Sequence, residues 1–202
     1  MDERSLEARF REGIEASIES KRRLLANLGP CLTVASVLID AYLHGRGMII
    51  FGNGGSAADA QHIAAELVGR LRHERRAMRA QALTVNTSVL TAVGNDYSFD
   101  AIYARQLEAF GQTGDVAIGI STSGRSANVV NGLTTARALG MISVAMTGAE
   151  GGPAATIADH WVGVPSNDTP RIQEAHIMIG HLWCELIEAA VVGSDGAGPA
   201  GG

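Results

Sequence analysis

The chain has 202 residues, 46% of them hydrophobic and 18% charged, with a formal net charge of -5. That length can bury one full-sized core, and the composition excludes both a disordered chain and a bilayer-embedded one. The acidic balance argues against nucleic acid as a partner, and the apolar runs are too short to span a membrane. Two cysteines, Cys31 and Cys184, fit reduced thiols in a cytoplasm rather than a disulfide framework.

In chain order, residues 2–28 predict a long amphipathic helix, with Leu6, Phe10, Ile14, Ile18 and Leu25 at helical spacing. Its acidic start, "MDERSLEARF", is unlike a secretory signal. Gly29 and Pro30 punctuate it, and residues 31–44 predict a second helix. The pattern then changes to short apolar runs at 48–51, 82–85, 116–120, 142–146 and 161–164. Helical stretches separate them at about 56–70, 87–109 with a break near Gly94, 125–139 and 151–158, and a last helix covers 170–191. Strands alternating with helices predict a parallel sheet covered on both faces. The expected fold is α/β: a three-layer α/β/α sandwich with a five-stranded parallel sheet and an N-terminal helical extension. Residues 1–45 form the helical pair, 46–192 the sandwich, and 193–202, rich in glycine, a disordered tail. The long terminal helices have little else to cover their apolar faces, which suggests a helical oligomer interface. The arginine-rich run "RLRHERRAMR" at 70–79 reads as a solvated or subunit-facing loop.

Ligands of open parallel sheets bind beyond the carboxyl ends of the strands. Two loops fall there. In "FGNGGS", Gly52, Gly54 and Gly55 allow close backbone approach and Ser56 can cap the next helix, so the stretch is either an anion cradle or a plain tight turn. It lacks the G-x-G-x-x-G spacing and the acidic residue at the end of the second strand that a dinucleotide site needs, and no P-loop motif is present. In "STSGRS", Ser121, Thr122, Ser123 and Ser126 surround Gly124 and offer hydroxyls to a phosphate monoester, unless they serve only as a hydroxyl-rich turn. His62 and Glu66 stand i and i+4 on the helix after the glycine loop. Alone they read as an exposed polar stripe, but their apolar neighbours also suit a base or a metal ligand. On the last helix, Gln173, Glu174, His176 and His181 are the polar groups in an apolar run, and His176 reads as a packed or interface histidine.

Together "GNGGSAADAQHIAAEL", "AVGNDYSFD", "GISTSGRSANV" and "RIQEAHIMIGH" resemble the phosphoheptose isomerases, members of the sugar isomerase (SIS) domain family, over residues 5–190. The resemblance implies interconversion of sedoheptulose 7-phosphate and D-glycero-D-manno-heptose 7-phosphate through an enediol. It implies catalysis by Glu66 and His181, and metal binding by His62, Glu66, Gln173 and His181, with one zinc ion per subunit. Substrate contacts carried over fall on Asn53, Gly54, Gly55, Ser56, Glu66, Asn95, Asp96, Ser121, Thr122, Ser123, Ser126 and Gln173. Gln173 and His181 lie about 12 Å apart along a helix, so they share a metal only by reaching toward each other, on an irregular helix, or across a subunit boundary; the last is favoured, with a homo-oligomer, a tetramer by resemblance, building the site between chains. Two positions depart from the pattern: Pro170 stands where some members have aspartate, and Arg125 where asparagine is common. A related branch of SIS-domain proteins binds the bacterial replication initiator and lacks a glutamate at the position of Glu66. That non-catalytic adaptor, and a sugar-phosphate sensor, are the alternatives to an enzyme.

Overall fold

The computed structural model describes residues 2–196 of the chain. Helices α1 (Glu3–Leu25) and α2 (Gly29–Leu43) precede β1 (Met48–Gly52), α3 (Gly55–Val68), β2 (Ala80–Ala82) and α4 (Thr87–Asp96). A 3-10 turn at Phe99–Ala101 leads into α5 (Ile102–Phe110), β3 (Val116–Ile120), α6 (Ala127–Ala138) and β4 (Ile142–Thr147). The chain closes with α7 (Gly152–Ile157), β5 (His160–Gly163) and α8 (Thr169–Gly196). All strands pair parallel in the order β2-β1-β3-β4-β5, the doubly wound arrangement whose order reverses between β1 and β3.

Alternation along the strands divides the interior in two. Met48 and Ile50 of β1, with Ile118, Val144 and Val162, pack under α1, α2, α3 and α8. Ile49 and Phe51, with Ala117 and Ala145, face the layer built by α5 and α6. Close approach explains Gly132 in α6, where an added Cβ would lie 2.7 Å from the Phe51 ring. The second helix belongs to this core: Val34 and Leu38 are fully buried, and the Trp183 indole donates to the Cys31 carbonyl (3.0 Å). Over Thr169–Ser194, α8 has the length and mean hydropathy (1.4) of a membrane span. Its Ile172, Ala175, Ile179, Trp183 and Ile187 are nevertheless buried in the core. In α1, by contrast, only Ser20 and Leu24 are buried, and Phe10, Ile14 and Ile18 lie exposed along the expected apolar stripe.

Several boundaries differ from the sequence reading. The second strand occupies 80–82 instead of 82–85. Leu83 gives one more sheet bond to Ile50, and the chain then turns into α4, where the Asn86 side chain accepts from Val89 (3.0 Å). The break expected near Gly94 falls at Tyr97–Ser98, because helical bonding continues to the Tyr97 amide (3.0 Å to Val93). The tail expected to be disordered from 193 is helical to Gly196, its remainder lying outside the described residues. The run at 70–79 is not simply solvated. The Arg75 side chain is 2% exposed against that of Glu188 in α8, itself 1% exposed.

Candidate active site

Gly52, the last residue of β1, pairs with Ile120, the last of β3. The glycine loop and the hydroxyl loop therefore leave the sheet side by side at the switch point, where ligands of such sheets bind. Gly54 adopts φ 57°, a conformation open to glycine, and α3 begins at the next residue. The bare face of Gly55 makes room for α8: an added Cβ would sit 2.6 Å from Nε2 of Gln173. Asn53 is held in both directions by Asn128 of α6, each Nδ2 donating to the other's Oδ1 at 2.9 Å. The Tyr103 hydroxyl lies 2.5 Å from the Gly52 carbonyl and 3.2 Å from Asn53 Oδ1. With that side chain occupied, what the loop can offer an anion is its backbone amides and the positive end of α3. Ser56 is buried beneath Gly52.

In the second loop the Ser121 and Ser126 hydroxyls lie 3.1 Å apart, while Arg125 N donates to Ser123 Oγ (3.2 Å). Ser126 occupies the cap position of α6 but makes no capping bond with its side chain, which leaves its hydroxyl facing Ser121. Gly124 has φ 64° and presses against the Gly151 carbonyl, fixing this loop to the one after β4. Thr122 and Ser123 open onto a polar cavity of about 230 Å³, shared with Arg125, Glu150, Asn167, Thr169 and Ile172. Arg125 is its cation, 3.5 Å from Glu150 Oε2 with both side chains about two-thirds exposed.

The third component straddles α3 and α8. His181 Nε2 is 2.9 Å from His62 Nε2, and Glu66 Oε1 is 3.1 Å from the same His62 nitrogen. One ligand atom from each of these three residues lies within 4.8 Å of the others, so the cluster could coordinate a metal. Ligand atoms about 2.05 Å from a tetrahedral zinc stand roughly 3.3 Å apart, close to the two spacings that His62 makes. His62 is half exposed, so the cluster opens to solvent. Gln173, two turns earlier on α8, lies against the glycine loop and makes no hydrogen bond to these three side chains among the described residues. Asn95 donates to Asp96 (2.8 Å) at the exposed end of α4, and no hydrogen bond links either to the loops among the described residues.

Tertiary packing adds residues that the sequence reading passed over. Asp59 stands one turn before His62 with its Oδ2 buried and unpartnered. Burial raises its pKa, opposed by the His62 and His181 imidazoles. Its spacing of three from His62 and seven from Glu66, one helix face, was the available signal. Tyr103 and Asn128 carried none, since both reach Asn53 from more than 49 residues away. His176 is fully buried, as expected of a packed histidine, and its Nε2 lies 3.1 Å from the Thr147 carbonyl, tying α8 to the end of β4.

Comparison with known proteins agrees with this geometry. A family profile described as SIS domain matches residues 14–148. The phosphoheptose isomerase of Clostridium acetobutylicum is 48% identical over 183 residues, covering 89% of this chain and 93% of that protein. The Aquifex aeolicus phosphoheptose isomerase is 56% identical over 158 residues, covering 78% and 83%. Among solved structures, the phosphoheptose isomerase of Neisseria gonorrhoeae superposes with a TM-score of 0.85 at 40% identity, covering 91% of this chain and 99% of that one. That of Francisella tularensis gives 0.87 at 33% identity, covering 92% and 98%. With its two loops, its histidine–glutamate cluster and this extent of identity, the chain belongs to the phosphoheptose isomerases of the SIS-domain family.

Proposed function

We propose that the chain is an aldose–ketose isomerase acting on sedoheptulose 7-phosphate to give D-glycero-D-manno-heptose 7-phosphate, the first step toward a nucleotide-activated heptose. The observation that carries this reading is the pairing of two anion-suited loops at the β1/β3 switch point with a carboxylate–imidazole cluster on α3 and α8. Ser121, Thr122, Ser123 and Ser126 hold the phosphate. Asn53, Gly54, Gly55, Ser56, Asn95, Asp96 and Gln173 align the carbon chain, so that remote binding energy is used for orientation.

Glu66 takes a proton from C1 of the ketose while His181 delivers one to O2, giving the enediol. His181 then accepts the proton from O1, and Glu66 returns its proton to C2 as the aldehyde forms. Oε1 of Glu66 faces His62, which leaves Oε2 for the carbon-bound proton. Each positioned acid or base contributes roughly 10²–10⁴-fold. His62, Glu66 and His181 would hold one zinc ion per subunit, with Gln173 as a fourth ligand supplied across a subunit boundary, a nitrogen and oxygen donor set suited to that metal. A bound zinc ion supplies Lewis acidity toward the sugar oxygens.

A homo-oligomer, as a tetramer, completes the site. Glu66 is eleven residues past Gly55, about 16 Å along α3, so the glycine loop and the cluster stand at opposite ends of that helix and a second copy can bring its own loops to the cluster. Phe10 (73% exposed), Ile14 and Ile18 line a groove of about 640 Å³ between α1 and α8 that a second copy can fill. Buried, unpaired Cys31 and Cys184 suit a cytoplasmic setting.

Conversion of sedoheptulose 7-phosphate followed by NMR tests the activity. Glu66→Gln is expected to lose at least about 100-fold in turnover with phosphate binding retained. Full activity in that variant would overturn the assigned role. Mixing Glu66→Gln subunits with Ser123→Ala subunits should restore turnover if sites are shared between chains; no restoration would place each site within one chain.

A further inference from the structure

The arginine-rich segment at 70–79 has no part in the chemistry above, yet it contains a buried ion pair. Arg75 Nε lies 3.3 Å from Glu188 Oε1, with the two side chains 2% and 1% exposed. The Glu188 carboxylate accepts from the amides of Leu71 (3.1 Å), Arg72 (2.9 Å) and His73 (3.1 Å), so three consecutive backbone donors are gathered onto α8. These donors and Arg75 outweigh the burial that pushes the carboxyl upward, and its pKa falls below the ordinary value.

The guanidinium faces the other way as well. Its Nη2 donates to the Glu66 carbonyl (2.8 Å) and its Nη1 to the carbonyls of Gly69 (2.9 Å) and Arg76 (3.0 Å). The last four carbonyls of a helix have no intrahelical partner, and that of Glu66 is among them in α3. A cation there also sits at the negative end of the helix dipole. Arg75 thus closes the end of the helix that carries His62 and Glu66. Glu188 anchors it on the helix that carries His181, seven residues or about two turns away.

We propose that Arg75 and Glu188 form a positioning pair that locks α3 to α8 and so sets the approach of His62 and Glu66 to His181. The inference rests on the proposed function for its catalytic consequence, but its geometric content stands apart from turnover. A buried pair is poor evidence of stabilisation, since apolar replacements often match it, whereas removing one partner strands a charge. Groups that orient ligands from behind typically cost 10- to 100-fold in affinity or activity when lost, about the effect expected here.

Arg75→Ala strands the Glu188 carboxylate and is a poor test if the chain fails to fold. Arg75→Lys, which keeps the charge but not the fork, and the neutral Arg75→Gln/Glu188→Gln pair are the working variants. Both should stay folded by circular dichroism, with kcat reduced about 10-fold or more, KM within about 3-fold, and zinc affinity reduced about 10-fold. Loss of stability alone would not change kcat or zinc affinity per folded molecule. The imidazole nitrogen signals of His62 and His181 should also move in both variants. If the unaltered protein fails to convert sedoheptulose 7-phosphate, the proposed function falls, and the imidazole spectra decide the positioning role by themselves. Folded variants with unchanged His62 and His181 signals would overturn it.

Discussion

Substituting glutamine for His176 isolates one buried titration. The imidazole is fully buried, its Nε2 facing the Thr147 carbonyl and its Nδ1 without a partner. Burial disfavours the charged ring and pulls its pKa from 6.5 to about 4, with the Thr147 contact opposing in part. Because the folded value is depressed, the stabilising contribution is complete above pH 6.5. It is lost as the pH falls, since the unfolded chain takes up the proton first. Linkage between 6.5 and about 4 gives a loss of about 1 kcal/mol at pH 6, about 2 at pH 5 and about 3 at pH 4. Urea unfolding of the original protein and of His176→Gln, at several pH values and one protein concentration, measures it. Other titrating groups cancel in the difference between the two curves. The original protein should lose about 3 kcal/mol more than the variant between pH 7.5 and 4. Curves parallel to within about 0.5 kcal/mol would refute the reasoning, because the ring would then titrate alike in both states.

Two further expectations concern the hydroxyl loop. Gly124→Ala forces a left-handed conformation costing about 1–2 kcal/mol and drives a methyl group into the Gly151 carbonyl. Affinity for inorganic phosphate by calorimetry should fall about 10-fold or more with the sheet intact, and unchanged affinity would contradict the loop's role. Arg125→Ala removes the cavity's cation, whose exposed contact with Glu150 leaves it available to a phosphate. At low ionic strength KM for the sugar phosphate should rise about 2- to 5-fold with kcat unchanged, the scale of an exposed charge pair, and an unchanged KM would show that Arg125 does not reach the ligand.

What could be read along the chain was what repeats or clusters locally. Apolar runs marked five strands, and "FGNGGS" and "STSGRS" stood at the ends of two of them. The i, i+4 spacing placed His62 and Glu66 on one face, where the structure puts them with His181. Boundaries were less legible. At 80–86 the strand ends where Asn86 caps a helix, and around Gly94 glycine's weak helix propensity was outweighed by continued backbone bonding.

The sequence alone determined the layered class, and it marked the two loops and the chemical types of the candidate site, because each is written in residues within a turn or two of one another. Only the tertiary structure decided that Arg75 is buried, that Asn53 is gripped by Tyr103 and Asn128, and that Gln173 lies against Gly55. These contacts join positions separated by 50 or more residues. A charge or an amide has no periodicity that distinguishes a buried partner from water, and packing settles which of them it meets.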